Sequence, residues 1–434
     1  MSIEVLPVGV TCNLKCSYCY EAPLRNAKSN HRYERDAVLA AIDKLPGQWS
    51  LFGGEALILP IEHIEELLKK GFEKWKATGI QTNGTLITEA HMDLFVKYKT
   101  HVGLSLDGPD ELNDSRWAGT QAATDRLTGK THATIARLVE RSKLPGQKVL
   151  LPSIIVTLHA GNCSKDRFPK FVKWIQDLDA LGIQYINPHV MELDDKASTL
   201  YLNQDELSDR LIDLWNLQET LTHVKFSKFD EVLKLLQGLQ SQGPTATPDN
   251  VTCHWHNCDP MNTAAVQSVE HDGTPSLCGR TFKSGTHWLP AEGTGYNAPL
   301  IGHPGSRHHT RQLALYVTPQ EYGGCQGCEF WAMCLGQCPG EGITAEGTAD
   351  WRMRSSYCLT WKKLFAEGAR RLRLVGKKPF CDWKDRPMIE AKMYELWVAG
   401  QDADFGRVVK EYVDYTSKGM VPVPGGYHGD HTDA

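Results

Sequence analysis

Two groups of cysteines could carry chemistry in this sequence. Cys12, Cys16 and Cys19 are separated by three and then two residues. Thiolates this close on one loop can hold three irons of a four-iron, four-sulfur cluster and leave the fourth iron open. Open coordination is what separates a reactive metal site from a structural one. Zinc with a distant fourth ligand would also fit the trio. The second group comprises Cys325, Cys328, Cys334, Cys338 and Cys358, with Cys253, Cys258 and Cys278 upstream. Its eight thiolates fill two sites of four ligands each, as electron-relaying clusters or as structural zinc sites. Of the 13 cysteines only Cys163 and Cys381 lie outside both groups, and they read as ordinary thiols.

Such loops need elements to position them. From Ile3 to about Val190, short β-rich runs alternate with segments of helical spacing. Strands are expected at 3–8, 49–52, 79–82, 102–106, 150–158 and 184–187, and helices at 36–45, 61–74, 89–98, 131–141 and 169–178. Six βα units imply a parallel sheet, either doubly wound or part of a βα barrel. In both, the ligand site lies at the C-terminal strand ends. Cys12 to Cys19 follow the first strand directly. Two helices are expected in 204–239, and a breaker cluster at Gly243, Pro244 and Pro248 leads into a Gly-rich, cysteine-rich region. Helical patterns return at 361–375 and 388–398, before a Gly, Pro, His and Asp tail expected to fray.

Composition narrows the function classes. The 434 residues carry 47 Lys+Arg against 52 Asp+Glu, a net charge of -5, with 41% hydrophobic residues. This is the balance of a soluble globular chain and disfavours a strongly basic nucleic-acid binder. Neither a membrane-spanning run nor a secretory signal is present in the sequence, so a cytoplasmic location is expected. There thiols stay reduced, which favours metal ligation over disulfides.

Further landmarks stand at successive strand ends: Gly53-Gly54-Glu55, then Gln81-Thr82-Asn83-Gly84, then Ser105-Leu106-Asp107-Gly108-Pro109. Together with the first trio, and with Tyr18 just before its last cysteine, they resemble the radical S-adenosylmethionine enzymes. The resemblance implies a partial (βα)6 barrel, TIM-like, over residues 1–202, an α/β fold. It implies that Gly53, Gly54 and Glu55 receive the amino group of S-adenosylmethionine, with Tyr18, Thr82, Asn83 and Ser105 near the same cofactor. The second cysteine series resembles the SPASM extension, expected at 253–360, between a helical bridge at 203–252 and a C-terminal extension and tail at 361–434. By that resemblance Cys253, Cys258, Cys278 and Cys338 hold one auxiliary cluster and Cys325, Cys328, Cys334 and Cys358 another. The cofactors expected are therefore S-adenosylmethionine and three four-iron clusters.

Enzymes with this extension act on peptides and proteins, so a peptide or protein substrate is expected, with an electron donor such as flavodoxin or ferredoxin. The main reading is an oxidative, intramolecular crosslink (carbon-carbon or thioether) in a ribosomal peptide. One alternative is an anaerobic sulfatase maturase making formylglycine, and another is a non-catalytic metal-binding interaction protein. In the sulfatase maturases an Asp follows the last upstream cysteine, whereas Gly279 and Arg280 follow Cys278 here. Candidate bases are Asp107, Glu192 and Asp259, and Arg116 is expected to hold a carboxylate. With eleven residues before Cys12, substrate capture is expected at the barrel mouth or the later helices rather than in an N-terminal recognition domain.

Overall fold

The computed structural model describes residues 3–27, 32–45, 47–146, 149–191, 198–238, 268–276, 307–342, 350–401 and 403–418. They form two compact units: residues up to 227 with 268–276, and residues 228–238 with 307–418.

The first unit is built on β1 (Ile3–Val5), β2 (Trp49–Leu51), β3 (Thr78–Thr82), β4 (Thr100–Ser105), β5 (Ser153–Leu158) and β6 (Ile186–Val190), joined by helical crossovers. The strands are parallel and lie side by side in chain order. That order decides between the two expected topologies. A doubly wound sheet reverses its strand order at a switch point, and this one does not reverse between β1 and β6. Right-handed crossovers in one direction put every connecting helix on the same face, as in a βα barrel. Beyond β1 the sheet continues with β7 (Ser268–Val269), parallel to β1, and β8 (Pro275–Ser276), antiparallel to β7.

Strand pleating separates the two faces. Ile3, Val5, Trp49, Leu51, Ile80, Val102, Leu104, Ile154, Val156 and Ile186 are buried on one face. Helix Ile61–Trp75 places Ile64, Leu67, Leu68 and Gly71 there, at helical spacing. Burial of each such leucine contributes about 2 kcal/mol. The other face is mostly polar and partly open, carrying Ser50, Gln81, Ser105, Ser153, Thr157, Asn187 and His189 together with Ile155. A closed βα barrel fills this side with branched apolar residues.

Two helices differ from the sequence reading. Helix Gln121–Ser142 starts ten residues before the expected Thr131 because Thr120 caps it and its inward residues Thr124, Thr128 and Thr131 are polar, which hides the apolar period. Helix Gln204–Gln218, expected as a bridge, belongs to the sheet-bearing unit and buries Leu207, Leu211 and Leu214.

In the second unit, helices Arg307–Val317, Cys358–Leu374, Arg386–Val398 and Phe405–Ser417 surround an aromatic core. Trp331 lies against Tyr316 and Trp397, Phe330 stacks on Phe365, and Phe380 meets Phe405. The helix at 405–417 falls where the sequence suggested only an irregular tail. Asp404 caps it by accepting from the Arg407 amide at 2.7 Å, and Phe405, Val408, Val409 and Tyr412 form its buried stripe.

Candidate active site

The cysteine loop after β1 is clamped between three strand exits. On one side, Gly54 and Glu55 amides donate to the carbonyls of Gly9 and Thr11 at 2.8 and 2.9 Å. On the other, Lys15 and Ser17 amides donate to Trp117 and Ser115 carbonyls beyond β4, at 2.7 and 2.8 Å. From the β3 exit, Asn83 donates to Asn13 at 2.8 Å and reaches Cys12 Sγ at 3.9 Å, while Asn13 donates to Thr85 at 2.9 Å.

This explains the paired glycines. A side chain at Gly54 would meet the Thr11 carbonyl oxygen at 2.1 Å, and one at Gly53, where φ is +105°, would meet the Gly9 oxygen at 2.6 Å. The small residues admit the cysteine loop itself, so close packing within the chain already requires them. Glu55 is buried and accepts from Leu57 N, Thr82 Oγ1 and Asn83 N at 3.2, 2.8 and 2.8 Å. A carboxylate has about four lone-pair positions, so three donors leave one. Burial pushes its acid upward despite these bonds. The segment therefore ties the β2 and β3 exits together beneath Cys12.

Tyr18, Asp107 and Arg116 come together as a network. Tyr18 OH donates to Asp107 Oδ2 at 2.5 Å and accepts from Arg116 Nη1 at 2.8 Å. Asp107 Oδ1 accepts from the Thr157 amide at 2.9 Å, and its carbonyl accepts from Asn162 at 3.0 Å. The side chain is fully buried. Burial alone would raise its pKa, but His159, Arg116 and Tyr18 outweigh that and hold the carboxyl below its usual range. Asp107 thus anchors the β4 exit to Thr157 and Tyr18. Both of its oxygens are engaged by donors, Oδ1 by the Thr157 amide and Oδ2 by the Tyr18 hydroxyl. Burial, with Asp107 beside it, drives the Tyr18 phenol well up, so it stays protonated. Arg116 is spent partly on Tyr18, and it also lines a small cleft with Leu14, Asn83, Ser105, Asn113 and Thr128.

His159, not singled out from the sequence, closes the group. Its ring lies 5.3 Å from that of Tyr18, and Nε2 stands 3.6 Å from Asp107 Oδ2, an ion-pair separation too long for a hydrogen bond. It directly follows β5, so the strand-end rule that found the other residues would have found it.

The trio fits a cluster. Burial pushes the Cys12 thiol up to about 12 and raises Cys16, while the Arg116 charge favours both thiolates. Arg25 reaches Cys19 Sγ at 3.7 Å. Buried thiols of this kind ionise when a cationic metal centre compensates them. Among the described residues, no three His, Cys, Asp or Glu side chains converge tightly enough to share one ion.

In the second unit Cys325, Cys328, Cys334 and Cys358 lie together. Burial raises Cys325, Cys334 and Cys358, and each of the three feels the charge of others in the set. Trp331 and Tyr357 are buried in the same unit. Cys338 is buried, but Cys253, Cys258 and Cys278, expected to share a cluster with it, lie outside the described residues, as do Glu192 and Asp259. Cys163 is buried and Cys381 half-buried.

A sequential parallel sheet with a three-cysteine loop at its first strand exit defines a class, and comparison with known proteins agrees. Residues 6–160 match the Radical SAM superfamily. A cysteine-type anaerobic sulfatase-maturating enzyme of Clostridium perfringens is 35% identical over 395 residues, covering 86% of this chain and 97% of that enzyme. A serine-type counterpart from Bacteroides thetaiotaomicron is 22% identical over 360 residues, 78% of this chain and 82% of that one. The structure of native anSMEcpe with bound AdoMet shares the fold, with a TM-score of 0.64 at 19% identity, over 86% of this chain and 98% of that one. The chain belongs to the radical SAM superfamily and, within it, is related to the anaerobic sulfatase-maturating enzymes. It is accordingly an enzyme, and the non-catalytic reading falls away. These relatives also favour sulfatase maturation over the crosslink expected from the sequence. Among the described residues no helix is long and apolar enough to cross a membrane.

Proposed function

We propose that this enzyme oxidises a cysteine or serine side chain of a sulfatase-type protein or peptide to formylglycine. The relationship to the cysteine-type maturase along nearly its whole length carries the reading. When bound, a four-iron cluster with S-adenosylmethionine would supply the radical chemistry needed to take hydrogen from an unactivated carbon.

Cys12, Cys16 and Cys19 would hold that cluster and leave one iron for S-adenosylmethionine. Asn83, Ser105 and Arg116 line the adjoining cleft and are assigned to the cofactor. After hydrogen leaves the substrate β-carbon, one electron and one proton must follow to complete a two-electron oxidation. Cys325, Cys328, Cys334 and Cys358 would hold one auxiliary cluster and Cys253, Cys258, Cys278 and Cys338 another, and such clusters would supply one-electron acceptors. Asp107 is unsuited to take the proton, so Glu192 and Asp259 are the candidate bases. A serine substrate loses two hydrogens to give the aldehyde. A cysteine substrate additionally exchanges sulfur for water oxygen and releases hydrogen sulfide. Flavodoxin or ferredoxin in a reducing cytoplasm would supply the initiating electron.

Crosslinking is kept as a second reading on one observation, the Gly279 after Cys278 where an acid is expected in a sulfatase maturase. Anaerobic turnover with sulfatase-site peptides bearing Cys or Ser separates the two. An aldehyde captured by a hydrazide probe supports maturation. Loss of two hydrogens without capture supports a crosslink, and an unmodified peptide beside abundant 5'-deoxyadenosine sinks the sulfatase reading.

A further inference from the structure

Arg311 lies in helix Arg307–Val317 and is 1% exposed. Its guanidinium donates to the carbonyls of Leu335 at 3.1 Å, Gly336 at 3.0 Å and Met353 at 3.3 Å. Its neighbour Gln312 donates to the Leu335 carbonyl as well, at 3.1 Å. These acceptors belong to two cysteine-bearing segments, the Cys334–Cys338 loop and the stretch leading into Cys358. A backbone bond from Ser355 N to the Gly336 carbonyl at 2.9 Å joins the same segments.

The loop so held is unusual. Leu335, Gly336 and Gln337 have φ of +46°, +76° and +60°, three consecutive left-handed residues of which two carry side chains. Such backbone persists only where its surroundings over-determine it. Arg311 provides that: a side chain at Gly336 would meet Leu315 Cδ1 at 2.5 Å and Arg311 Nη2 at 3.0 Å. Helix Arg307–Val317 holds Cys325 directly too, through its amide bond to the Leu315 carbonyl at 2.7 Å.

We infer that Arg311 is a positioning residue for the cluster on Cys325, Cys328, Cys334 and Cys358: its buried guanidinium locks the left-handed turn that follows Cys334 to the stretch that leads into Cys358. This rests on the assignment of those four cysteines to a cluster. A buried positive charge bonded to the backbone one and two residues after a cluster cysteine raises that cluster's reduction potential, so Arg311 would keep this cluster receptive to the substrate's electron.

The test is a potentiometric titration of the whole anaerobic protein, followed by electron paramagnetic resonance. The signal of this cluster is the one missing from Cys334→Ala. If Cys334→Ala keeps the iron content and every signal of the wild type, the cluster assignment fails. Given that signal, Arg311→Gln is expected to shift its midpoint to more negative potential. Arg311→Lys, which keeps the charge but loses the fork, shifts it less in the same direction. Should Arg311→Gln not fold, Arg311→Lys decides alone. A wild-type midpoint in either folded variant overturns the role of Arg311 while leaving the cluster assignment intact.

Discussion

The phenol of Tyr18, two residues after Cys16, is bonded to the buried carboxylate of Asp107 at the exit of β4. The first cysteine loop is therefore fastened to the sheet by a side chain lying between its own cysteines. Tyr18→Phe removes this bond and frees Arg116 from the phenol. A hydrogen bond to a charged group contributes about 2 kcal/mol, so release of 5'-deoxyadenosine should fall about tenfold or more. Iron content stays near that of the wild type, and chromatographic measurement of the nucleoside with parallel iron assay checks both.

Asp107→Ala should be more severe. It strands the Thr157 amide and the Tyr18 hydroxyl in a buried site, at a cost of roughly 3 kcal/mol of stability. A lowered apparent melting temperature in an anaerobic thermal scan is the expected result.

Gly54→Ala tests the packing account of the paired glycines. Its methyl group would collide with the Thr11 carbonyl, which is backbone and must move, carrying Cys12 with it. The variant is expected to fold, lose the iron of the first cluster and cleave no S-adenosylmethionine. Retention of normal cleavage would show that the close approach is dispensable.

Metal content discriminates the cluster assignments. The wild type should hold about twelve irons per chain, about four in each of three clusters. Cys16→Ala should lose a third of them together with all cofactor cleavage. Zinc in place of iron would refute the assignments.

Glu390 carries a pH dependence. Burial raises its pKa from 4.5 to about 7, although Arg386 donates to it at 2.8 Å. The folded state favours the neutral acid, so its contribution is complete below about pH 4.5, declines as pH rises toward 7, and is lost above that. Glu390→Gln should therefore gain in melting temperature relative to wild type as pH goes from 5 to 8. An unchanged difference across that range would contradict the burial argument.

Much of the site was legible because chemistry and topology constrain the same positions. Cysteine spacing and the landmarks after β2, β3 and β4 gave the residues that the fold does collect around one loop. Side-chain roles were less legible. Asp107 reads as a candidate base from its position, but its hydrogen bonds could not be read there, because the donors that engage it, Thr157 and Tyr18, lie 50 residues later and 89 residues earlier. Arg311 was invisible for a similar reason: its partners are backbone carbonyls, which leave no trace in residue identity. Helix Phe405–Ser417 was missed because a short stripe beyond Gly400 looks like a tail until Asp404 is seen to cap it.

The unequal faces of the sheet have a consequence for how such an enzyme can change. Folding free energy is drawn from the face under the helices, where Trp49, Val102, Leu104 and Val156 leave no latitude. Ser50, Gln81, Ser153 and Asn187 on the opposite face are only partly covered. Even Gly79 and Gly103 there would meet chiefly the mobile ends of Ser50 and Gln81 if a side chain were added. Substitutions at Ser50, Ser153 and Asn187 on this wall should therefore cost less stability than those on the face under the helices, so the two sides of one sheet are free to change at different rates.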